Sequence, residues 1–338
     1  MAQAMAENPK MLLRRRNFLA VTLGLPLLCR GRALAQTTSK PVEIGFAYEG
    51  IAPSGAVRAK ALQEGLHSRG FEEGRDFTIV VKTAESRQDQ FEPIVHELVQ
   101  RDVKVLFVAG HSIVRMAKKA TSTIPIVALD LEADPVKDGL VQSVARPGGN
   151  LTGMFFDFPD FAKKWLQLLA EVQPNLHRLA VLWDTSTAEH QVDAVSDEAR
   201  ARNVALQILK AHSPADFEPA FDAATDGKAD AMLILSSPLF GTNPKLLAEP
   251  AIRHKLPTIT FFPEFARVGG LMAYGTNLID LFSQAGVVIA KILNGETPAT
   301  LPVERPSRFQ LIVNLKTAAQ IGVNVPTSIL LRADEVVE

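Results

Sequence analysis

Residues 103–130 read VKVLFVAGHSIVRMAKKATSTIPIVALD. Val103–Ala109 is an almost unbroken apolar run, Ser112–Ala120 has the composition of a helix, and Ile124–Asp130 is apolar again. Short, nearly continuous apolar strands on either side of a helix indicate a parallel sheet covered on both faces. The same alternation extends upstream. Val42–Tyr48 reads as a strand, about Ser54 to Arg69 as a helix, Asp76–Lys82 as a strand and about Gln88 to Arg101 as a helix. Downstream the pattern restarts. Asp160–Glu171 is helical, Leu179–Trp183 a strand, Glu189–Arg202 a helix, Ala205–Lys210 a strand, Pro214–Ala224 helical, Ala231–Leu235 a strand, Lys245–His254 a helix and Thr258–Phe261 a strand. Two successive βαβ sets predict an α/β protein of two doubly wound parallel-sheet lobes.

Between the sets, Ala145-Arg146-Pro147-Gly148-Gly149-Asn150 can continue neither a helix nor a central strand. It reads as a surface turn or as a crossover. After the second set come a long helix, Leu278–Leu293, a proline-bearing return over 295–306, a strand, Phe309–Leu315, and a short helix, Thr317–Ile321. A chain that crosses between lobes three times sets that helix on the first lobe and the last strand on the second. The expected N-terminal lobe is thus 41–153 with 276–306, and the C-terminal lobe 154–275 with 307–338.

Residues 1–35 have the order of an export signal: Arg15-Arg16-Asn17-Phe18-Leu19, an apolar run from Ala20 to Leu28, and Ala33-Leu34-Ala35 as the cleavage site. The twin arginines favour the folded-export route over the general one. The apolar run is too short to span a bilayer. Cleavage after Ala35 predicts a periplasmic protein. Leu28 argues against lipid anchoring at Cys29, the chain's single cysteine, and cleavage removes that thiol. No cysteine nucleophile or thiolate metal site then remains. Residues 1–35 also hold six of the 36 basic residues and one of the 37 acidic ones. The remainder carries a net charge of about −6 and no basic stripe, so nucleic acid is not expected as a partner.

Ligands of open parallel sheets bind beyond the carboxyl ends of the strands. The candidates are therefore Tyr48-Glu49-Gly50, Gly110-His111-Ser112, Asp130-Leu131-Glu132, Asp184-Thr185-Ser186, Ser236-Ser237-Pro238 and Phe262, with Asp157, Trp183 and Tyr274 nearby in the pattern. Glu49, Asp157 or Asp184 suits an ammonium through charge-assisted hydrogen bonds. Tyr48, Trp183, Phe262 or Tyr274 suits a flat or apolar group. Several have a plain structural reading as well: Ser112 as a helix cap, Trp183 as core, Asp184 as a turn residue. No G-x-S-x-G elbow, H-E-x-x-H pair, phosphate loop or dinucleotide fingerprint is present. No catalysis, metal or cofactor is expected.

Several motifs together resemble a known family. Asp134-Pro135-Val136, Gly139-Leu140-Val141 and Ala145-Arg146-Pro147-Gly148-Gly149-Asn150-Leu151-Thr152-Gly153 are followed by Ser237-Pro238-Leu239-Phe240, Gly269-Gly270-Leu271-Met272-Ala273-Tyr274-Gly275, Asn314-Leu315-Lys316-Thr317-Ala318 and Arg332-Ala333-Asp334-Glu335-Val336. This set is similar to the ABC transporter substrate-binding proteins related to the tryptophan- and tyrosine-binding TrpX group, from about Pro41 to the C-terminus. The resemblance implies a type I periplasmic binding protein, a monomer whose two lobes close on a small organic solute, amino-acid-like by preference. It would present that solute to a membrane permease with its ATPase. A ligand-sensing protein feeding a membrane receptor or kinase is the alternative. The family's cleft loops map onto Tyr48-Glu49, Gly110-His111-Ser112, Asp157, Asp184-Thr185 and Ser236-Ser237. Where amino-acid-binding relatives usually carry Thr-Pro-Ala, this chain has His111-Ser112-Ile113, and where they often carry Glu-His it has Glu49-Gly50.

Overall fold

The structure, a computed structural model, describes residues 40–132, 134–156, 158–306 and 308–338. The readings made on residues 1–35, Cys29 included, lie outside the described residues, as does Asp157.

The first sheet contains β1 (Val42–Tyr48), β2 (Phe77–Thr83), β3 (Val105–Ala109), β4 (Ile126–Asp130) and β5 (Leu151–Phe155), all parallel, in the order β2-β1-β3-β4-β5. Helices α1 (Ala52–His67), α2 (Phe91–Gln100) and α3 (His111–Ala120) connect its strands. Every residue of β3, β4 and β5 is buried, as their unbroken apolar sequences require of strands covered on both faces.

After β5 the chain enters a second layer of sheet through α4 (Phe158–Val172). There β6 (Arg178–Asp184), α5 (His190–Ala201), β7 (Ala205–Ala211), α6 (Phe217–Asp226) and β8 (Ala231–Ile234) are followed by α7 (Pro238–Gly241), α8 (Pro244–Arg253), β9 (Thr258–Thr260), α9 (Pro263–Arg267) and β10 (Met272–Gly275). α10 (Leu278–Leu293) returns to the first lobe. β11 (Gln310–Asn314), α11 (Leu315–Ile321), α12 (Thr327–Leu330) and β12 (Glu335–Val337) complete the second. Its strand order is β12-β11-β10-β9-β8-β6-β7, parallel except where β10 meets β11. The chain therefore forms two doubly wound lobes joined by three crossovers, after β5, after β10 and before β11.

The return of α10 is fixed by a contact between helix backbones. A Cβ added to Gly65 of α1 would lie 1.9 Å from the Ser283 carbonyl oxygen and 3.0 Å from the Gly286 Cα. One added to Gly286 would lie 2.2 Å from the Leu62 carbonyl oxygen. Only glycine permits this approach. It brings Phe282 of α10 onto Phe46 and Phe107, with ring centroids 6.0 and 5.6 Å away, so three rings close the first core beneath the carboxyl ends of β1 and β3.

The structure adds elements that the sequence pattern did not separate: β5, β10, β12 and the short helices α7, α9 and α12. Leu151–Phe155 follows Pro-Gly-Gly and contains Gly153, so it reads as the tail of a turn, yet it pairs with β4 along its whole length. The first sheet therefore extends to Phe155.

Candidate functional site

Each sheet reverses its strand order once, at β1/β3 in the first and β6/β8 in the second. These are the switch points where connections leave in opposite directions and open a crevice. The carboxyl ends at both face one space. Tyr48 and Gly110 come from the first lobe, and Ser236, Ser237, Pro238 and Phe262 from the second. Leu129, Leu131, Glu132, Arg58, Leu278 and Phe282 complete the lining. The free space is about 390 Å³, part of it open to solvent, and its walls are largely apolar. A more polar compartment beside it is lined by Glu49, Asp184, Ser186, His212 and Pro238 among others.

Carboxyl groups from both lobes converge here. Glu49 is 4 % exposed, Asp130 0 %, Glu132 2 % and Asp184 4 %. The Glu49 Oε1 accepts the Ile113 backbone N–H at 2.8 Å, at the first turn of α3. Gly110, with φ 124°, leaves the space that this carboxyl fills, since a Cβ there would lie 2.3 Å from the Glu49 Cδ. Burial pushes the Glu49 carboxyl up to about 8, aided by the charges of Asp130 and Asp184 and opposed by the Ile113 N–H and by His111. Glu132 is raised well above the carboxylate range, first by burial and then by Asp130 and Glu49. Asp130 sits in a hydrogen-bonded pair with His111, Nδ1 to Oδ2 at 3.0 Å, and its Oδ1 accepts the Glu132 N–H at 2.9 Å. Burial alone lowers the His111 pKa, but the hydrogen bond and charge of Asp130 outweigh it, so the net direction is upward.

Among the described residues, three polar side-chain contacts join the lobes around the crevice. The Ser236 hydroxyl donates to Glu132 Oε1 at 2.9 Å, the Ser112 hydroxyl donates to the Ser186 carbonyl at 3.0 Å, and His190 Nε2 lies 2.8 Å from Asp138 Oδ1. Gln191 holds Ser236 in place by bonding both its backbone groups, each at 2.8 Å. The lobes are therefore in contact, with the lining groups turned inward.

Residues 52–337, from the start of α1 onward, match a family model described as ABC transporter substrate binding protein. The chain belongs to the ABC transporter substrate-binding protein family. It is 24 % identical over 282 residues to the tyrosine-binding protein of Clostridioides difficile strain R20291, covering 83 % of this chain and 81 % of that one. Among solved structures it resembles a conserved domain protein from Vibrio cholerae, with TM-score 0.82, 24 % identity and coverage of 88 % of this chain and 100 % of that one. It also resembles an ABC domain from Streptococcus pneumoniae in complex with L-Trp, with TM-score 0.80, 23 % identity and coverage of 88 % and 100 %.

Within this family member the singled-out residues fall into three groups. Tyr48, Gly110, Ser236, Ser237 and Phe262 line the interlobe cavity. Glu49 and Asp184 line the neighbouring compartment, and Ser112, His111 and Asp130 stand at the junction. Trp183, Thr185 and Tyr274 are not among the residues lining the cavity or the compartment beside it. The Trp183 Nε1 donates to Thr187 at 3.1 Å, beneath the loop after β6, and Thr185 pairs with His212 at 2.7 Å. Tyr274 stacks with Phe161 and Phe309 by the crossovers, 5.9 and 6.0 Å between ring centroids.

Leu131, Glu132 and Pro238, which the strand-end rule also reaches, line the cavity. Gln191 and Arg58 were not singled out from sequence. Arg58 sits within a helix, and in sequence it is indistinguishable from a solvated face.

Proposed function

We propose that this family member is the exported solute-binding component of an ABC importer. It holds a small amino acid with an apolar side chain between its lobes and delivers it to a membrane permease. The reading rests most heavily on one observation: an apolar interlobe cavity bordered by buried carboxyls of both lobes and bridged by the Ser236–Glu132 bond. In this reading the side chain of the solute lies against Tyr48, Leu129, Leu131 and Phe262, and Glu132 with Glu49 and Asp184 faces its ammonium. Ser237 and Gly110 shape the walls. The tyrosine and tryptophan named for its relatives support an amino acid as the class.

The lobes, 41–155 with 276–306 and 158–275 with 308–338, move as bodies about the three crossovers. The solute shifts them toward the closed form by its greater affinity for that form. Residues 1–35 direct export to the periplasm and are removed after Ala35, and no group in the cleft performs a reaction.

The test is a thermal-shift and calorimetric screen over the amino acids and, as controls, sugars and unsubstituted amides. A solute at 100 times its Kd stabilises the folded chain by about 2.7 kcal/mol. Stabilisation by an apolar amino acid supports the reading, and no response to any amino acid refutes it.

A further inference from the structure

Among the described residues, Arg58 is the one lysine or arginine that lines the interlobe cavity. It projects from α1, and its guanidinium carbon lies 4.8 Å from the Tyr48 ring centroid and 5.6 Å from that of Phe282. These two rings hold the planar group by cation–π attraction. Among the described residues it forms no ion pair, and its N–H donors have no acceptor. A cation so placed on the wall of a cleft otherwise crowded with carboxyl groups is the natural partner for an anionic group of the solute.

The alternative anion site of such a fold is closed. The first turn of α3, at the carboxyl end of β3, would ordinarily attract a carboxylate. Here the Glu49 carboxyl occupies it, bonded to the Ile113 N–H and filling the space over Gly110. The Phe240 N–H at the start of α7 is taken by the Ser237 hydroxyl at 3.1 Å. A solute carboxylate placed at Asp184 would meet like charge. Arg58 and Glu132 therefore line the same cavity with opposite character, both near the Tyr48 ring.

We propose that Arg58 is the specificity-determining residue that receives the solute's carboxylate as a bidentate pair, so that the cleft selects free amino acids over their amides and amines. This deepens the reading of the site as an amino-acid cleft and rests on it. The guanidinium fork matches a carboxylate in two parallel hydrogen bonds. The flanking Tyr48 and Phe282 rings fix its plane and shield the pair from water.

The experiment is calorimetric titration of the full chain and of its Arg58→Met and Arg58→Lys variants. The probes are L-tryptophan, L-tyrosine, L-phenylalanine and L-leucine, each beside its carboxamide and its decarboxylated amine. Methionine keeps an apolar stem on Tyr48, and thermal melts establish that each variant is folded. The wild type is expected to prefer the acid over the amide by about 30-fold, the scale of a charge-assisted pair. Arg58→Met should bring acid and amide to within about 3-fold of each other, with amide affinity little changed, and Arg58→Lys should fall between. A structural role for Arg58 would weaken acid and amide alike. Such parallel weakening overturns the proposal, as does an Arg58→Met variant that keeps the wild-type preference. Wild-type binding of amines as tightly as acids overturns it while leaving a solute cleft in place. If no probe binds the wild type, the amino-acid reading falls and this inference with it.

Discussion

Glu49→Gln should make the protein more stable and, at the same time, worse at its proposed task. The Glu49 carboxyl is buried, and burial with the charges of Asp130 and Asp184 lifts it from an ordinary 4.5 to about 8. Below pH 4.5 the group is protonated in both folded and unfolded chains and adds no penalty. As the pH rises, the unfolded chain ionises first and the folded chain retains the proton, so stability falls. The slope is up to ~1.4 kcal/mol per pH unit until the folded group ionises near 8, and it is flat above that. At pH 7 the penalty reaches up to ~3 kcal/mol. Glutamine keeps an oxygen for the Ile113 N–H and carries no charge. The variant should match wild type near pH 4.5 and exceed it by up to ~3 kcal/mol at pH 7, or ~5 °C in Tm. Several other titrating groups face this carboxyl: His111 on α3, Asp130 and Glu132 at the end of β4, and Asp184 at the end of β6. The measurement is therefore the difference between the two proteins in urea unfolding at pH 5, 6, 7, 8 and 9. A difference that does not change with pH, or a variant less stable than wild type above pH 7, would refute the reasoning. A bound ammonium favours the ionised carboxylate, so Glu49→Gln should also weaken an ammonium-bearing solute by ~10-fold or more.

Other substitutions separate the latch, the scaffold and the bystanders. Ser236→Ala removes the interlobe bond to Glu132 and should weaken the solute by ~5-fold, or ~1 kcal/mol, with a more open shape in X-ray scattering and an unchanged Tm of the empty protein within ~2 °C. Gly65→Ala forces α1 and α10 apart against backbone atoms that no rotamer change can move. It should cost ~1–3 kcal/mol in guanidinium unfolding, and a change under ~0.5 kcal/mol would contradict the close helix contact. Trp183→Phe, which loses the bond to Thr187, should lower stability by ~1 kcal/mol while leaving solute affinity within 2-fold. A large affinity loss would return Trp183 to the cleft.

The lobes and most of their strands were legible because buried parallel strands are apolar on both faces, as Val105–Ala109 and Ile126–Asp130 are. The strand-end rule then reached Tyr48, Glu49, Gly110, Asp130 and Ser236, because it depends only on where each apolar run stops. What escaped depends on the third dimension. β5 and β10 are five and four residues long and each contains a glycine, so they lack a signal distinct from a turn. Trp183 and Tyr274 end strands in the same way as Tyr48 does, but the neighbouring elements turn one under a loop and the other toward the crossovers. Arg58 reaches the cavity only because the Gly65–Gly286 contact draws α10, with Phe282, against α1. No pattern along α1 alone records that.

The seam between the lobes has an energetic consequence. Among the described residues its polar side-chain bonds are two serine hydroxyls and one imidazole–carboxylate contact. At about 1 kcal/mol each they supply ~3 kcal/mol, which limits their bias to a ratio of ~100. A clasp this light stays responsive. In the proposed role, an empty molecule falls open under thermal agitation, a loaded one is held mainly by its solute, and unloading takes only a few RT of leverage.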